Sequence, residues 1–498
     1  MSTPTASPSA HAPTEQVYPL SLFDEMYAEV GVAMSWIVEG RIDMMLITSA
    51  LDRITARWPL LACRIERSKD KRMQVRIRLP QDGTYPPGYK PYAATTATNP
   101  NPLTHFIPLP LPVAHDMLPE ALMQAPDAPQ STRQWIDKSL PLTYWHVTHF
   151  AKEKNGAEHS VIGVTFPHAV FDGLGIARVI HTLEAELLGR DWEPPPLPVD
   201  AQDNNALESL LTSVMEEQNK GLRPPAKETF AGSIVGLWFS LTFLSFHLWQ
   251  ALWHKTQCRT MIIPEKAYTH LRDKTRDEAA LEGKDQVPIS TADVISALSF
   301  KTAFSDASPN TLLQLASFAS VRRFSSSSSQ DITSYPHNCV LSLPYPLFPG
   351  SHPRSLSLAA LASELALHRQ TFKLEDAADL YRRMQTAWHS GMNVSPYNPR
   401  AHESLMLSNV TIARIVDIDW TGAGSGVGKT ICRYKAILTG LPLWFTNVVT
   451  VAGKLPDGSL VLDLALSKKR TDMFEAKVRE LIAAANEPRP EGCQVVTT

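Results

Sequence analysis

Cysteine is scarce. Five residues (Cys63, Cys258, Cys339, Cys432 and Cys493) are scattered through 498 positions, and their number is odd. No pair has metal-ligand or redox spacing, so no metal site and no disulfide framework is expected, and a reducing, cytoplasmic compartment fits best. Net charge is nearly lacking too. A formal −3 at pH 7 leaves no electrostatic case for nucleic acid. The N-terminal residues 1–16 are rich in Ser, Thr, Ala and Pro with no apolar centre. They read as a disordered lead rather than a signal peptide. The last residues, Gln494 to Thr498, match no targeting address.

Hydrophobic residues are plentiful, at 44% of a chain long enough for two ordinary domains. The stretch that organises the rest is Phe166-Pro-His168-Ala-Val-Phe-Asp172-Gly173. An apolar strand, Val161 to Phe166, runs into it. A helix from Leu174 to about Arg190 leaves it, with Leu174, Ile176, Val179, Ile180, Leu183, Leu187 and Leu188 near a 3.6-residue period. His168 and Asp172 are therefore expected at a rigid strand end, on a tight turn. Gly173 is expected to supply an unusual backbone angle there. Histidine titrates near neutrality and can take a proton from a hydroxyl or amine.

This H-x-x-x-D-G turn resembles that of the BAHD-type CoA-dependent acyltransferases, in particular their fungal secondary-metabolism branch, which includes the trichothecene acetyltransferases. The resemblance implies an α/β fold. Two similar chloramphenicol-acetyltransferase-like domains, with mixed sheets and helices, would flank an active-site channel. It also implies that His168 is the general base and that Asp172 holds the turn by pairing with an arginine. Related condensation domains and wax-ester synthases carry a second histidine just before the first; Pro167 stands there here.

Other segments extend the likeness. Tyr18 to Asp24, Trp36 to Asp43, a helix Met44–Arg57 and an apolar strand Trp58 to Ile65 resemble the family's N-terminal block, with Cys63 in place of a usual Gly. Residues 80–132 read as elaborated loops. Leu142 to Phe150 reads as a strand whose His146 and His149 are ordinary histidines. Ser290 and Thr291 offer a helix N-cap in a segment that resembles one near CoA in some members. Arg322 aligns with the arginine that pairs with the motif Asp. Asp417 and Trp420 align with a structural motif, although Ile418, Asp419 and Thr421 depart from it. Ser408 and Asn409 fall where some members place an oxyanion donor, worth about 3 kcal/mol in a transition state.

Ala423 to Thr430 matches a relaxed phosphate-binding loop. Only about 70 residues follow, and the next segment reads as a strand, so a nucleotide triphosphatase is disfavoured; Lys429 is left as a contact for CoA phosphates. Trp444 to Leu466 reads as a hairpin turning at Asp457-Gly458, followed by a closing helix. The expected divisions are 17–200, a linker 201–257 and 258–498.

Residues 233–253 carry no charge and are long enough to cross a bilayer. A full crossing would separate His168 from the C-terminal half. The expectation is a helix lying in one leaflet, ahead of one packed on the protein beside an acceptor pocket. The overall expectation is a monomeric enzyme that moves an acyl group, acetyl by default, from acyl-CoA to a hydroxyl of an apolar metabolite. Acyl-CoA is a co-substrate and not a tightly held cofactor. An amine acceptor and a catalytically inert, membrane-attached binding protein remain as alternatives.

Overall fold

The computed structural model describes residues 15–487, apart from 81–82, 201, 203, 227–232, 285–286, 328–331, 344 and 440–445. Most of the expected disordered lead, Cys493 and most of the serine run 325–329 lie outside the described residues or their described side chains. Glu15 and Gln16 belong to the strand Glu15–Pro19.

Two large sheets carry the fold, which is α/β with mixed sheets and helices. A five-stranded sheet runs in the order Thr430–Leu438, Gly31–Glu39, His159–Pro167, Tyr144–Phe150, Ala93–Asn99. The middle three strands are buried on both faces, since helices cover one side and loops the other. The helices Met44–Arg57 and Gly173–Leu187 pack on one face through Ile47, Leu51, Ile54, Ile176, Val179 and Leu183, all buried. The second sheet is mixed. Its main path runs Val340–Ser342, Leu312–Ser320, Glu403–Asn409, Val448–Lys454, Leu460–Ser467, Thr256–Ile263, Ala114–Asp116. Helices Glu265–Leu281, Thr291–Ala303, Leu358–Thr371 and Lys468–Asn486 enclose its core.

The halves exchange strands. Thr430–Leu438, late in the chain, pairs antiparallel with Gly31–Glu39. Ala114–Asp116, early in the chain, pairs with Thr256–Ile263. Neither exchange follows from local sequence pattern, because each pairing joins residues more than 140 positions apart.

Several local expectations shift. Pro59 ends the helix Met44–Arg57 but opens a 3-10 turn, Pro59–Ala62, so the strand is only Arg64–Arg67. The apolar segment is divided. Ser233–Val235 pairs with Asn393–Ser395, and Leu237–Trp253 is the helix. No helix among the described residues is long and apolar enough to cross a membrane.

Candidate active site

His168 follows the strand His159–Pro167 directly. Its amide donates to the Val30 carbonyl (2.9 Å), and its own carbonyl accepts from the Asn338 amide group (2.7 Å). The imidazole stacks on Tyr27, with centroids 4.1 Å apart and the rings 6° from parallel. Nδ1 is sealed from solvent and has no hydrogen-bond partner among the described residues, which leaves Nε2 as the nitrogen open to the cavity described below. Burial pushes the imidazole pKa below its ordinary value. The ring is therefore neutral, and fit to accept a proton, at pH 7.

Asp172 also borders that cavity, but its carboxylate is engaged elsewhere. One oxygen caps the helix Gly173–Leu187 by accepting from Leu174 N (3.1 Å) and Gly175 N (2.9 Å). The carboxylate also forms a two-pronged pair with Arg322, at 2.8 and 3.0 Å, and both side chains are buried. Arg322 continues to the Tyr335 and His337 carbonyls, both at 2.8 Å. Asp172 therefore holds the turn, with both carboxylate oxygens engaged by the helix cap and Arg322.

Gly173 differs from expectation. Its φ is not in the left-handed region. It is the first residue of the helix, and a Cβ there would meet Val410 Cγ1 at 3.1 Å. The stricter requirement falls on Gly175, where a Cβ would run into the Pro336 carbonyl oxygen.

Local sequence reading missed a second anchor, Tyr335 to Cys339. His337 Nδ1 donates to the Val170 carbonyl (2.9 Å), while its Nε2 accepts from Tyr18 OH (2.8 Å). Burial pushes the His337 pKa down to about 4, so the ring is neutral. Asn338 bridges the His168 carbonyl and Asp24, whose carboxylate also takes two bonds from Ser21. Burial raises Asp24 to about 7 against these donors. No motif marks this segment, because the partners of the His337 and Asn338 side chains lie about 170 to 320 positions earlier.

A cavity of about 1850 Å³ opens in front of His168. Met34, Phe166 and Lys435 line it from the first sheet, and Ser317, Met406 and Thr450 from the second. Ser408, Asn409, Thr291 and Arg322 line it as well. Asn409 Oδ1 accepts from Thr411 N (3.0 Å). Ser290 does not line it; that hydroxyl is engaged with Asp293 as the cap of Thr291–Ala303.

Three expected residues lie elsewhere. Asp417 pairs with its neighbour Arg414 (2.8 Å). Trp420 is fully buried against Trp36, 5.5 Å between centroids. Their segment is tied to the motif helix, because His181 bonds the Ala413 carbonyl and Glu184 accepts from Asp419 N. Lys429 is exposed, within 4.0 Å of Asp419, and does not reach the cavity. The glycine loop packs on residues 39–43. Gly428 N donates to Glu39 O, and Ala423 O accepts from Asp43 N. That loop does not present a phosphate cradle.

The helix Leu237–Trp253 has two unlike faces. Phe239, Ser240, Phe243 and Leu244 wall the cavity, and Phe243 lies 4.9 Å from the Tyr397 ring. His247 accepts from Thr446 N (3.1 Å), and burial lowers its pKa to about 4. Elsewhere on the helix Leu237, Trp238, Leu252 and Trp253 are exposed. This places the helix on the protein beside the cavity.

Comparison with known proteins adds the following. No family profile matches the chain. It is 24% identical over 310 residues, 58% of each chain, to the transcriptional regulator sdnM of Sordaria araneosa. It is 27% identical over 184 residues to the O-acyltransferase pboC of Aspergillus ustus, covering 37% of this chain and 35% of that one. The chain thus spans less than two thirds of these curated relatives. Among solved structures, TRI101 of F. sporotrichioides complexed with coenzyme A and T-2 superposes with a TM-score of 0.61. The two are 15% identical, over 94% of this chain and 98% of that one. In fold, with the His168 turn at its centre, the chain is similar to this CoA-bound TRI101 structure.

Proposed function

We propose that the protein transfers an acyl group, acetyl by default, from acyl-CoA to a hydroxyl of a small apolar metabolite such as a terpenoid. One observation carries this reading: the neutral His168 ring faces a large apolar cavity while Asp172 is committed to Arg322. The acceptor hydroxyl gives its proton to His168 Nε2 as its oxygen attacks the thioester carbonyl. The tetrahedral intermediate collapses, the carbon–sulfur bond breaks, and the proton passes from His168 to the CoA thiolate. Holding both substrates against one base supplies much of the acceleration. Asn409, at the cavity wall, is the donor assigned to the oxyanion.

In this reading two domains, each built on one sheet, flank a channel. The CoA phosphates lie toward Thr291, Arg323 and Arg369, which line the cavity near the N-terminus of Thr291–Ala303. The acceptor enters past Phe239 and Phe243. The exposed Trp and Leu residues of the same helix support contact with a membrane surface on the cytoplasmic side. In this reading the protein acts as a monomer. The name of the Sordaria relative describes a regulator, but a neutral base and a braced turn favour chemistry here. The test is free-thiol release from acetyl-CoA with a panel of apolar alcohols. Release should require both an alcohol and His168; release unchanged in His168→Ala removes the mechanism.

A further inference from the structure

Among the cations on the cavity wall are two neighbours, Arg433 and Lys435, that acyl transfer does not use. Arg433 and Lys435 stand two apart on Thr430–Leu438, so both point to the same face of the sheet. Their register partners are Trp36 and Met34, and Phe166 and His168 belong to the same face two strands over. Both residues line the cavity.

The charges do not balance. Arg433 is fully buried. Its Nη1 donates to Asp463 Oδ2 at 2.6 Å, while Nε and Nη2 have no partner among the described residues. Lys435 Nζ donates to Thr450 Oγ1 at 3.1 Å, a bond that joins the two sheets, and makes no ion pair among the described residues. Two positive charges therefore share one carboxylate. Lys435 is half-buried at the cavity wall, within reach of a ligand, so an anion from outside the chain is the natural partner. Burial and the neighbouring Arg433 lower the Lys435 pKa to about 8, which still leaves the ammonium form dominant at pH 7.

We propose that Lys435, backed by Arg433, binds a carboxylate of the acceptor, so that the substrate is an apolar hydroxy acid with its hydroxyl at His168 and its acid group at Lys435. This rests on the acyltransferase reading and narrows its substrate class. The excess of one positive charge matches a monoanion. Met34, Ile415 and Val448 around the site suit an apolar body. The phosphates of CoA carry the same sign, but Arg323, which lines the cavity and makes no ion pair among the described residues, lies elsewhere. Arg323 follows the strand Leu312–Ser320, whereas Lys435 meets Thr450 two strands further into that sheet.

The test compares ω-hydroxydodecanoate with its methyl ester, by calorimetric binding to the full-length protein and by thiol release from acetyl-CoA. Wild type should favour the acid by at least about 10-fold. Lys435→Met should erase the preference, Lys435→Arg should keep most of it, and the KM for acetyl-CoA should not move. Equal binding of acid and ester to wild type, or no binding of either, overturns the proposal without needing a variant. A rise in the acetyl-CoA KM of Lys435→Met, with the acid preference intact, assigns the charge to the cofactor instead. Thiol release with neutral alcohols but no preference for the acid leaves the transferase and removes the acid site. An acid preference in binding with no thiol release from any acceptor keeps the anion site and removes the transferase.

Discussion

Replacing Asp172 by alanine tests the brace behind the catalytic turn. The carboxylate is 2% exposed and does two things at once. It neutralises Arg322 through bonds of 2.8 and 3.0 Å, and it caps the helix Gly173–Leu187. Breaking a buried ion pair from one side costs about 3–5 kcal/mol, and losing the cap about 1 kcal/mol more. The expected fall in melting temperature is on the order of 10 °C. Arg322→Met should cost less, because Asp172 keeps the N–H groups of Leu174, Gly175 and Cys339. The Asp172→Ala/Arg322→Met double variant should lose about 2 kcal/mol less than the two single losses combined, since it strands no charge. Thermal unfolding of the four proteins measures the cycle. Turnover of Asp172→Ala should fall about 100-fold, because His168 sits four residues from the lost brace and a shift near 1 Å misaligns a base. Additive losses, or an Asp172→Ala protein as stable as wild type, would refute the reasoning.

Gly175→Ala should unfold at a lower temperature and lose activity, because its Cβ overlaps the Pro336 carbonyl that lies beside the motif helix; a melting curve and a turnover assay like wild type would count against the packing described. The His168 pKa lies below 6.5, so the proton-accepting form persists as pH falls to 6.5. For a neutral alcohol, kcat/KM should hold its value at pH 7 and fall only on the acid side of the ordinary histidine range, and an acid limb centred above pH 7 would contradict the burial of the ring. Lys429→Ala should leave the acetyl-CoA KM unchanged, since Lys429 is exposed and lies off the cavity; a several-fold rise in KM would restore it as a phosphate contact.

The motif turn was legible in the sequence because its parts are local. A strand, a histidine, an aspartate four residues on and a helix announce one another, and Arg322 followed from resemblance. What stabilises the turn was not legible. Tyr18, His337 and Asn338 carry no spacing signal, because each works through a partner about 150 or more residues away. Tyr27 stacks on His168 from a short loop with no period. The role of Gly173 was misjudged because a glycine in a turn suggests a positive φ, whereas close packing at Gly173 and Gly175 is what matters. The helix Leu237–Trp253 has no charged residue to mark an outer face, so its periodicity alone did not show which side meets the cavity. Strand exchange between the halves depends on register partners that local pattern does not specify.

The most direct test of the central claim is acyl transfer by His168→Ala, measured with and without added imidazole. The account predicts a folded protein with nearly abolished turnover, partly restored by imidazole that fills the space against Tyr27. A folded His168→Ala protein as active as wild type would contradict it.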